Sequence, residues 1–251
     1  MISIIIPFKD KSKLLGQCVF SVLEKTIYQD YEILLVNNQS SEDRTTLFLD
    51  EIIKNNRVSV LSYDKPFNFS AINNFAVNNC NSEYVLFLNN DTEVISPNWL
   101  DEMLKCFNDK KIGVVGAKLL YPNNTIQHCG VVLDKKNLAI HEFRTMKETD
   151  VVLEDRKEWP AVTGACMLTK RDLFIKAGGF DEINLPIAYN DVDYCLKISE
   201  LGYKVVCVSN IKLYHYESAS RKSDIWAKVF NRKRYKEFIK ERSYIKNRWI
   251  N

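Results

Sequence analysis

The chain has 251 residues, of which 46% are hydrophobic and 27% charged, and its net charge is +3. That length suits one large α/β domain or two small ones with a real core. The composition is that of an ordinary soluble globular protein, and no apolar run reaches the roughly 18 residues a membrane span needs. The seven cysteines are scattered without CxxC spacing. This argues against a zinc site or a secreted disulfide framework, and for reduced, buried thiols in a cytosolic protein. Charge is uneven: residues 221–248 hold eleven Lys/Arg against Asp224, Glu237 and Glu241. Such a tail suits an anionic lipid or nucleic-acid surface, or is a solvated helix face.

The opening "MISIIIPFKD" lacks a basic leader and is too short for a signal peptide, so it reads as a strand over residues 3–8. Leu14, Leu15, Cys18, Val19, Val22 and Leu23 then recur at helical spacing. "YEILLV" is a second strand, and "SSEDRTTLFLDEIIKN" a helix with Ser41 at its N-cap. "RVSVL" is a third strand, "FSAINNFAVNNC" a helix, and "YVLFL" a fourth strand. Ser96-Pro97 reads as the start of another helix, and "IGVVGA" as a fifth strand. Strands apolar on both faces, alternating with helices, indicate a mostly parallel sheet covered on both sides.

The second half is less regular. "TIQHCGVVL", "AVTGACMLTK", "KVVCV" and "IKLYHY" read as strands, and "DVDYCLKISELG" as a helix stopped at Gly202. Residues 134–158 read as a loop and 223–249 as a long basic helix or helix pair. No linker or repeat interrupts the chain. The expectation is one domain, with a first half at 1–117, a second at 118–222 and a basic helical segment at 223–251.

There is no GxGxxG, no P-loop and no GxSxG elbow. With only three histidines, a His-rich metal site is excluded. What remains are carboxylates and amides at strand ends, where open α/β sheets bind ligands. Asp10 follows the first strand, Asn37-Asn38 the second and Asp91 the fourth. Asp191 and Asp193 open a helix, and His215 ends a late strand. A cation shared with a diphosphate needs only one or two protein carboxylates. Asp91 with His215 suits that role and leaves Asp191 as a general base. Each residue also has a plainer reading: Asp91 and Asn37-Asn38 as turn residues, Asp191 as an N-cap, His215 as a core histidine.

Together these stretches resemble family 2 glycosyltransferases of GT-A fold, in the bacterial branch that builds O-antigen and capsule. The carrying motifs are "SIIIPFKDK", "LLVNNQSSED", "FNFSAINNFAV", "EYVLFLNNDTEV", "GAKLLYPNNTIQHCGVVL", "AVTGACMLTKRDLF", "GGFDE", "NDVDYCLK", "LGYKVV" and "LYHYESASR". They run in the family's order over nearly the whole chain. The resemblance implies inverting transfer from a nucleotide-sugar, UDP- or dTDP-linked, to a glycan or lipid-linked acceptor. It implies a divalent cation, Mg²⁺ or Mn²⁺, and no nucleic-acid partner. A cytoplasmic place goes with it. The basic tail could hold the enzyme against the inner membrane leaflet, but Trp226, Phe230, Tyr235 and Phe238 are better read as packing that helix on the domain. The chain could be one module beside further glycosyltransferase modules. Pro7, Asp10, Asn37, Asn74, Asn89, Asn90, Asp91 and Arg221 would face the donor, with Ser218 and Ser220 near the diphosphate. Asp91 and His215 would hold metal, Asp191 would be the base, and Gly164, Asn190 and Asp193 would lie on the acceptor side. The family's DxD metal motif is NND here, and its acidic pair is Asn37-Asn38. Asn89 brings no charge, so Asp91 is the main anionic ligand, and the base of the donor is less fixed. The alternatives are a nucleotidyltransferase, which lacks its Gly-rich loop here, and a catalytically weak binding module.

Overall fold

The computed structural model describes residues 1–136, 138–216 and 232–250. Ser218, Ser220 and Arg221 lie outside the described residues, as do Trp226 and Phe230 of the basic tail.

Among the described residues ten strands form one sheet. Its first half holds β1 (Ile2–Phe8), β2 (Tyr31–Asn37), β3 (Val58–Ser62), β4 (Tyr84–Leu88) and β5 (Thr92–Val94). Its second half holds β6 (Ile112–Leu120), β7 (Ile126–His128), β10 (Arg156–Glu158), β11 (Cys166–Lys170) and β12 (Lys204–His215). The order is β10-β12-β6-β11-β4-β1-β2-β3, with β5 on β12 and β7 on β6. β1 to β4 pair in parallel, as expected from their apolar runs. β12 pairs in parallel with β6, whereas β11 is antiparallel to both β4 and β6, and the short strands β5, β7 and β10 also pair antiparallel. A separate hairpin joins β8 (Val131–Asp134) to β9 (Leu138–His141). The helices are α1 (Ser12–Lys25), α2 (Asp43–Ile52), α3 (Phe69–Asn78), α4 (Trp99–Cys106), α5 (Arg171–Lys176), α6 (Asn190–Glu200) and α7 (Arg232–Trp249).

The period of two along β1 explains the layering. Ile2, Ile4, Ile6 and Phe8 enter one core beside Leu15, Val19 and Trp99, while Ile5 enters the other beside Ile72, Phe87 and Phe180. The second core is rich in rings. Phe87 lies 5.1 Å from Phe174 and 4.9 Å from Phe180, centre to centre, and such pairs contribute about 1 kcal/mol each beyond their burial.

Several sequence expectations shift. The residue-117 boundary falls inside β6, so the two halves share a strand. Ser41 does not cap α2. Asp10 Oδ1 instead accepts the Ser41 and Glu42 N–H groups at 2.7 and 2.9 Å, in the turn just before the helix, and no side chain among the described residues caps the helix itself. Ser96-Pro97 precedes α4 without starting it, because Ser96 Oγ accepts the Lys212 N–H of β12 at 3.0 Å. "KVVCV" and "IKLYHY" are one strand with an irregularity between Val208 and Lys212. The 134–158 loop contains β9, a short 3₁₀ turn and β10. "TIQHCGVVL" breaks at Gly130, which has φ +124° and whose missing Cβ would stand 2.2 Å from the Trp159 ring. All seven cysteines are free and buried.

Gly130→Ala meets both a disfavoured backbone region and the indole. It should cost roughly 2 kcal/mol or more, lowering the calorimetric midpoint by about 4 °C or more. An unchanged midpoint would show that the hairpin can shift off Trp159.

Candidate active site

The carboxyl ends of β1 and β4, the β8–β9 hairpin, the start of α6 and one face of α7 enclose a cleft of about 850 Å³. Pro7, Asn89, Asn90, Asp91, Gly164, Asn190, Asp191 and His215 all line it.

One end is built by strand pairing. β5 follows the Asn89-Asn90-Asp91 turn and runs antiparallel to the end of β12, with His215 opposite Thr92. Tyr216 N donates to Asp91 O at 2.9 Å. This register brings His215 Nε2 within 3.1 Å of Asp91 Oδ1 and 3.3 Å of Asn89 Nδ2. Gln127 brackets the histidine, accepting at Oε1 from Nδ1 (2.5 Å) and donating from Nε2 to the His215 carbonyl (3.2 Å). That contact assigns a proton to Nδ1. Nε2 faces the Asp91 carboxylate, and the two together call for a shared proton or a cation. This donor set, one carboxylate and one imidazole, fits a divalent cation whose other ligands come from a diphosphate and water. Among the described residues no cluster of three or more His, Cys, Asp or Glu could hold a metal alone.

Burial pushes the Asp91 carboxyl up. The His215 hydrogen bond and charge, Asp91's own backbone N–H and Lys11 outweigh it and hold the group below the ordinary carboxylate range. Behind it, Glu93 ties three elements together. It accepts from Lys25 (2.8 Å) and Gln17 (2.7 Å) of α1 and from the Tyr216 hydroxyl (2.6 Å). Asp91 therefore sits on a cross-braced turn.

The other end is the start of α6. Asp191 Oδ2 accepts the Gly164 N–H at 2.9 Å, and Oδ1 accepts the Val192 N–H at 2.8 Å. Both oxygens are oriented while keeping lone pairs for a further donor. Gly164 thus acts through its backbone on Asp191. Asn190 is buried, lines the cleft, and its Nδ2 has no hydrogen-bond partner among the described residues.

Four sequence-selected residues are placed elsewhere. Asp10 holds the turn before α2, as above. Asn37 Oδ1 accepts the Ser40 N–H at 2.9 Å in a tight turn, while Asn38 lines the cleft and donates to the Tyr63 and Lys65 carbonyls. Asn74 grips Phe180 by both backbone groups, at 2.9 and 3.0 Å, and so shapes the loop before α6. Asp193 is fully buried and turns to α7, accepting from Trp249 Nε1 at 2.9 Å and pairing with Arg248 at 3.3 Å. These side chains fix the walls, and none of the four lines the cleft.

The sequence reading missed the remaining histidines. Although there are only three, all three line this cleft. His128 Nδ1 lies 3.0 Å from His141 Nδ1, and His128 Nε2 accepts the Thr163 N–H at 3.3 Å. Lys9 and Lys11 beside the NND turn were also missed. Lysine after a strand carries no period, so only the turn geometry of Asp10 and Lys11 (φ 53° and 57°) reveals them.

The glycosyl transferase family 2 model matches residues 3–178. The chain belongs to that family. It is 40% identical over 228 residues, 89% of its length, to the O-antigen biosynthesis protein RfbC of Myxococcus xanthus, and spans 18% of that protein. Among solved structures it is similar to GalNAc-T7 with UDP, GalNAc and Mn²⁺, with a TM-score of 0.72 at 19% identity over 86% of this chain and 44% of the other. It also resembles the Pyrobaculum calidifontis mannosyltransferase PcManGT with GDP-Man and Mn²⁺, with a TM-score of 0.67 at 15% identity over 96% and 62%. These likenesses establish the GT-A fold for this family 2 domain. No helix among the described residues is long and apolar enough to cross a membrane.

His128 supplies a pH test. Burial, then the charges of His141 and His215, push its imidazole well below the ordinary 6.5. The unfolded chain therefore takes up this proton first. The stability from a neutral His128 is complete above about pH 6.5 and falls as pH drops below it, by up to about 1.4 kcal/mol per unit. Denaturant melts from pH 7 to 5 should lose stability more steeply in the wild type than in His128→Gln. Parallel slopes would contradict this assignment.

Proposed function

We propose that this domain moves a sugar from a nucleotide-sugar to an acceptor hydroxyl, with inversion, in the assembly of a bacterial surface polysaccharide. The observation that carries the reading is the cleft's polarity. An ionised Asp91 with His215 lies on one wall and a pre-oriented Asp191 carboxylate on another. The name of the RfbC relative supports the polysaccharide setting.

Asp191 would accept the proton of the acceptor hydroxyl as that oxygen attacks the anomeric carbon opposite the nucleotide. The Gly164 amide keeps the carboxylate aimed during attack. Asn190, whose Nδ2 has no partner among the described residues, would hold an acceptor oxygen. At the far wall Asp91 and His215 would hold the divalent cation, Mg²⁺ or Mn²⁺. When bound, the cation neutralises charge on the departing diphosphate, a role that removes the need for a general acid. Both solved neighbours carry Mn²⁺ with a nucleotide or nucleotide-sugar, one UDP and the other GDP-Man, which supports the cation and leaves the base open. Asn38, unlike an aspartate, donates as well as accepts. A UDP- or dTDP-linked donor remains the first choice, because a pyrimidine N3–H suits an amide carbonyl.

The acceptor would be a glycan or lipid-linked glycan. The protein would work in the cytoplasm beside the inner leaflet, within a larger chain carrying further transferase modules. The short share of RfbC that the chain spans supports the modules. For the membrane contact only the basic tail speaks. Within α7, Phe238 stacks on Tyr189 and Ile245 is fully buried, so much of the helix's apolar side serves the fold.

Release of nucleoside diphosphate from a panel of UDP-, dTDP- and GDP-linked sugars with Mn²⁺ tests the proposal. Asp191→Asn should lower turnover by about 100-fold or more while nucleotide binding persists. Asp91→Ala should remove cation-dependent turnover by a similar factor, and Asn89→Ala should cost less than about tenfold. A wild type that binds nucleotide-sugar yet stays inert across donors and cations would favour the binding-module alternative.

A further inference from the structure

The turn that delivers Asp191 is strained and is held from a distant part of the chain. Tyr189 has φ +60° and ψ 5°, a left-handed conformation unusual for a bulky side chain, and α6 starts at the next residue. Such a conformation persists only where its surroundings over-determine it. The neighbours that do so come from α7. Glu241 is only 2% exposed, and its two oxygens accept the N–H groups of Ile187 and Ala188, each at 2.9 Å. Phe238, one turn earlier, stacks on Tyr189 with ring centres 5.8 Å apart. At the helix end Trp249 Nε1 donates to Asp193, two residues beyond Asp191. One helix thus grips the segment on both sides of Asp191.

We propose that Glu241 is a positioning residue for transfer, and that α7 is an integral wall of the active centre that fixes Asp191 through the Ile187–Tyr189 turn. This rests on the reading of Asp191 as the base. A carboxylate suits the role because it offers two acceptors in one plane to two successive amides, and both bonds are charge-assisted. Glutamine offers one acceptor and turns an NH₂ toward the other N–H. Alanine leaves two part-buried donors without this partner. In either variant the turn can relax toward an ordinary backbone conformation and carry Asp191 with it. A shift of about 1 Å at a reacting group can cost on the order of 100-fold in rate. The cation end of the cleft belongs to other elements, β5 and β12, so nucleotide binding is separable from this effect.

The test uses the full chain, the same donor panel with Mn²⁺, and calorimetric titration of UDP, dTDP and GDP with Mn²⁺. Glu241→Ala should lower kcat by roughly tenfold or more, and Glu241→Gln by a smaller factor. Both should keep the wild-type Kd for the nucleoside diphosphate within about twofold. Two results overturn the proposal: a wild-type kcat in Glu241→Ala, or a loss of nucleotide binding parallel to the loss of kcat, which marks general destabilisation. Should the variants fail to fold, hydrogen exchange on the wild type decides. The Ile187 and Ala188 amides should be protected, and fast exchange there contradicts the clamp. Asp191→Asn separates the two claims. If it turns over normally, the base reading falls and takes the clamp with it. If it is inactive while Glu241→Ala is normal, only the clamp falls.

Discussion

The contact on which the rest of the site depends is the 3.1 Å approach of His215 Nε2 to Asp91 Oδ1. It joins residues 124 positions apart, and neither strand alone specifies it. The antiparallel pairing of β5 with the end of β12 sets it, and the Glu93 network with Lys25, Gln17 and Tyr216 braces it from behind. An isolated buried carboxylate would tend toward its neutral form. Here the imidazole and Lys11 keep it charged, which suits this wall to the proposed cation and diphosphate.

The other wall follows a different logic. Its functional group sits at a helix start that needs a strained turn, and the chain supplies the restraint from two sides. From α3, Asn74 holds Phe180 and the Ser70 hydroxyl donates to the Leu185 carbonyl. From α7, Glu241 and Trp249 hold the segments before and after Asp191. The sheet positions the proposed leaving-group end by strand register. The proposed base is positioned by side chains reaching to the backbone, which can fail one residue at a time.

Much of this was legible in the sequence where a period or a strand end carried the signal. The four parallel strands announced themselves as apolar runs, and "LFLNND" pointed to Asp91 because polar residues at a buried strand's end face the ligand side of such sheets. The antiparallel β11 was not legible, since an apolar run does not encode direction. Asp10, Asn37 and Asn74 were chosen as donor ligands for their positions, yet each is engaged by backbone groups that only the folded chain brings near. The convergence of all three histidines, and the grip of Glu241 on residues more than 50 positions away, are long-range facts with no local pattern. The basic helix, expected to show a charged face and to pack its aromatics on the domain, also bonds through Glu241 and Trp249 to the segments on either side of the proposed catalytic carboxylate.

The central claim is that Asp91 and His215 together form the protein's share of a cation site. Pulsed electron paramagnetic resonance on the wild type with Mn²⁺ and UDP addresses it directly. The account predicts hyperfine coupling to an imidazole nitrogen that disappears in His215→Ala. A bound Mn²⁺–nucleotide complex with no nitrogen coupling in the wild type would contradict it.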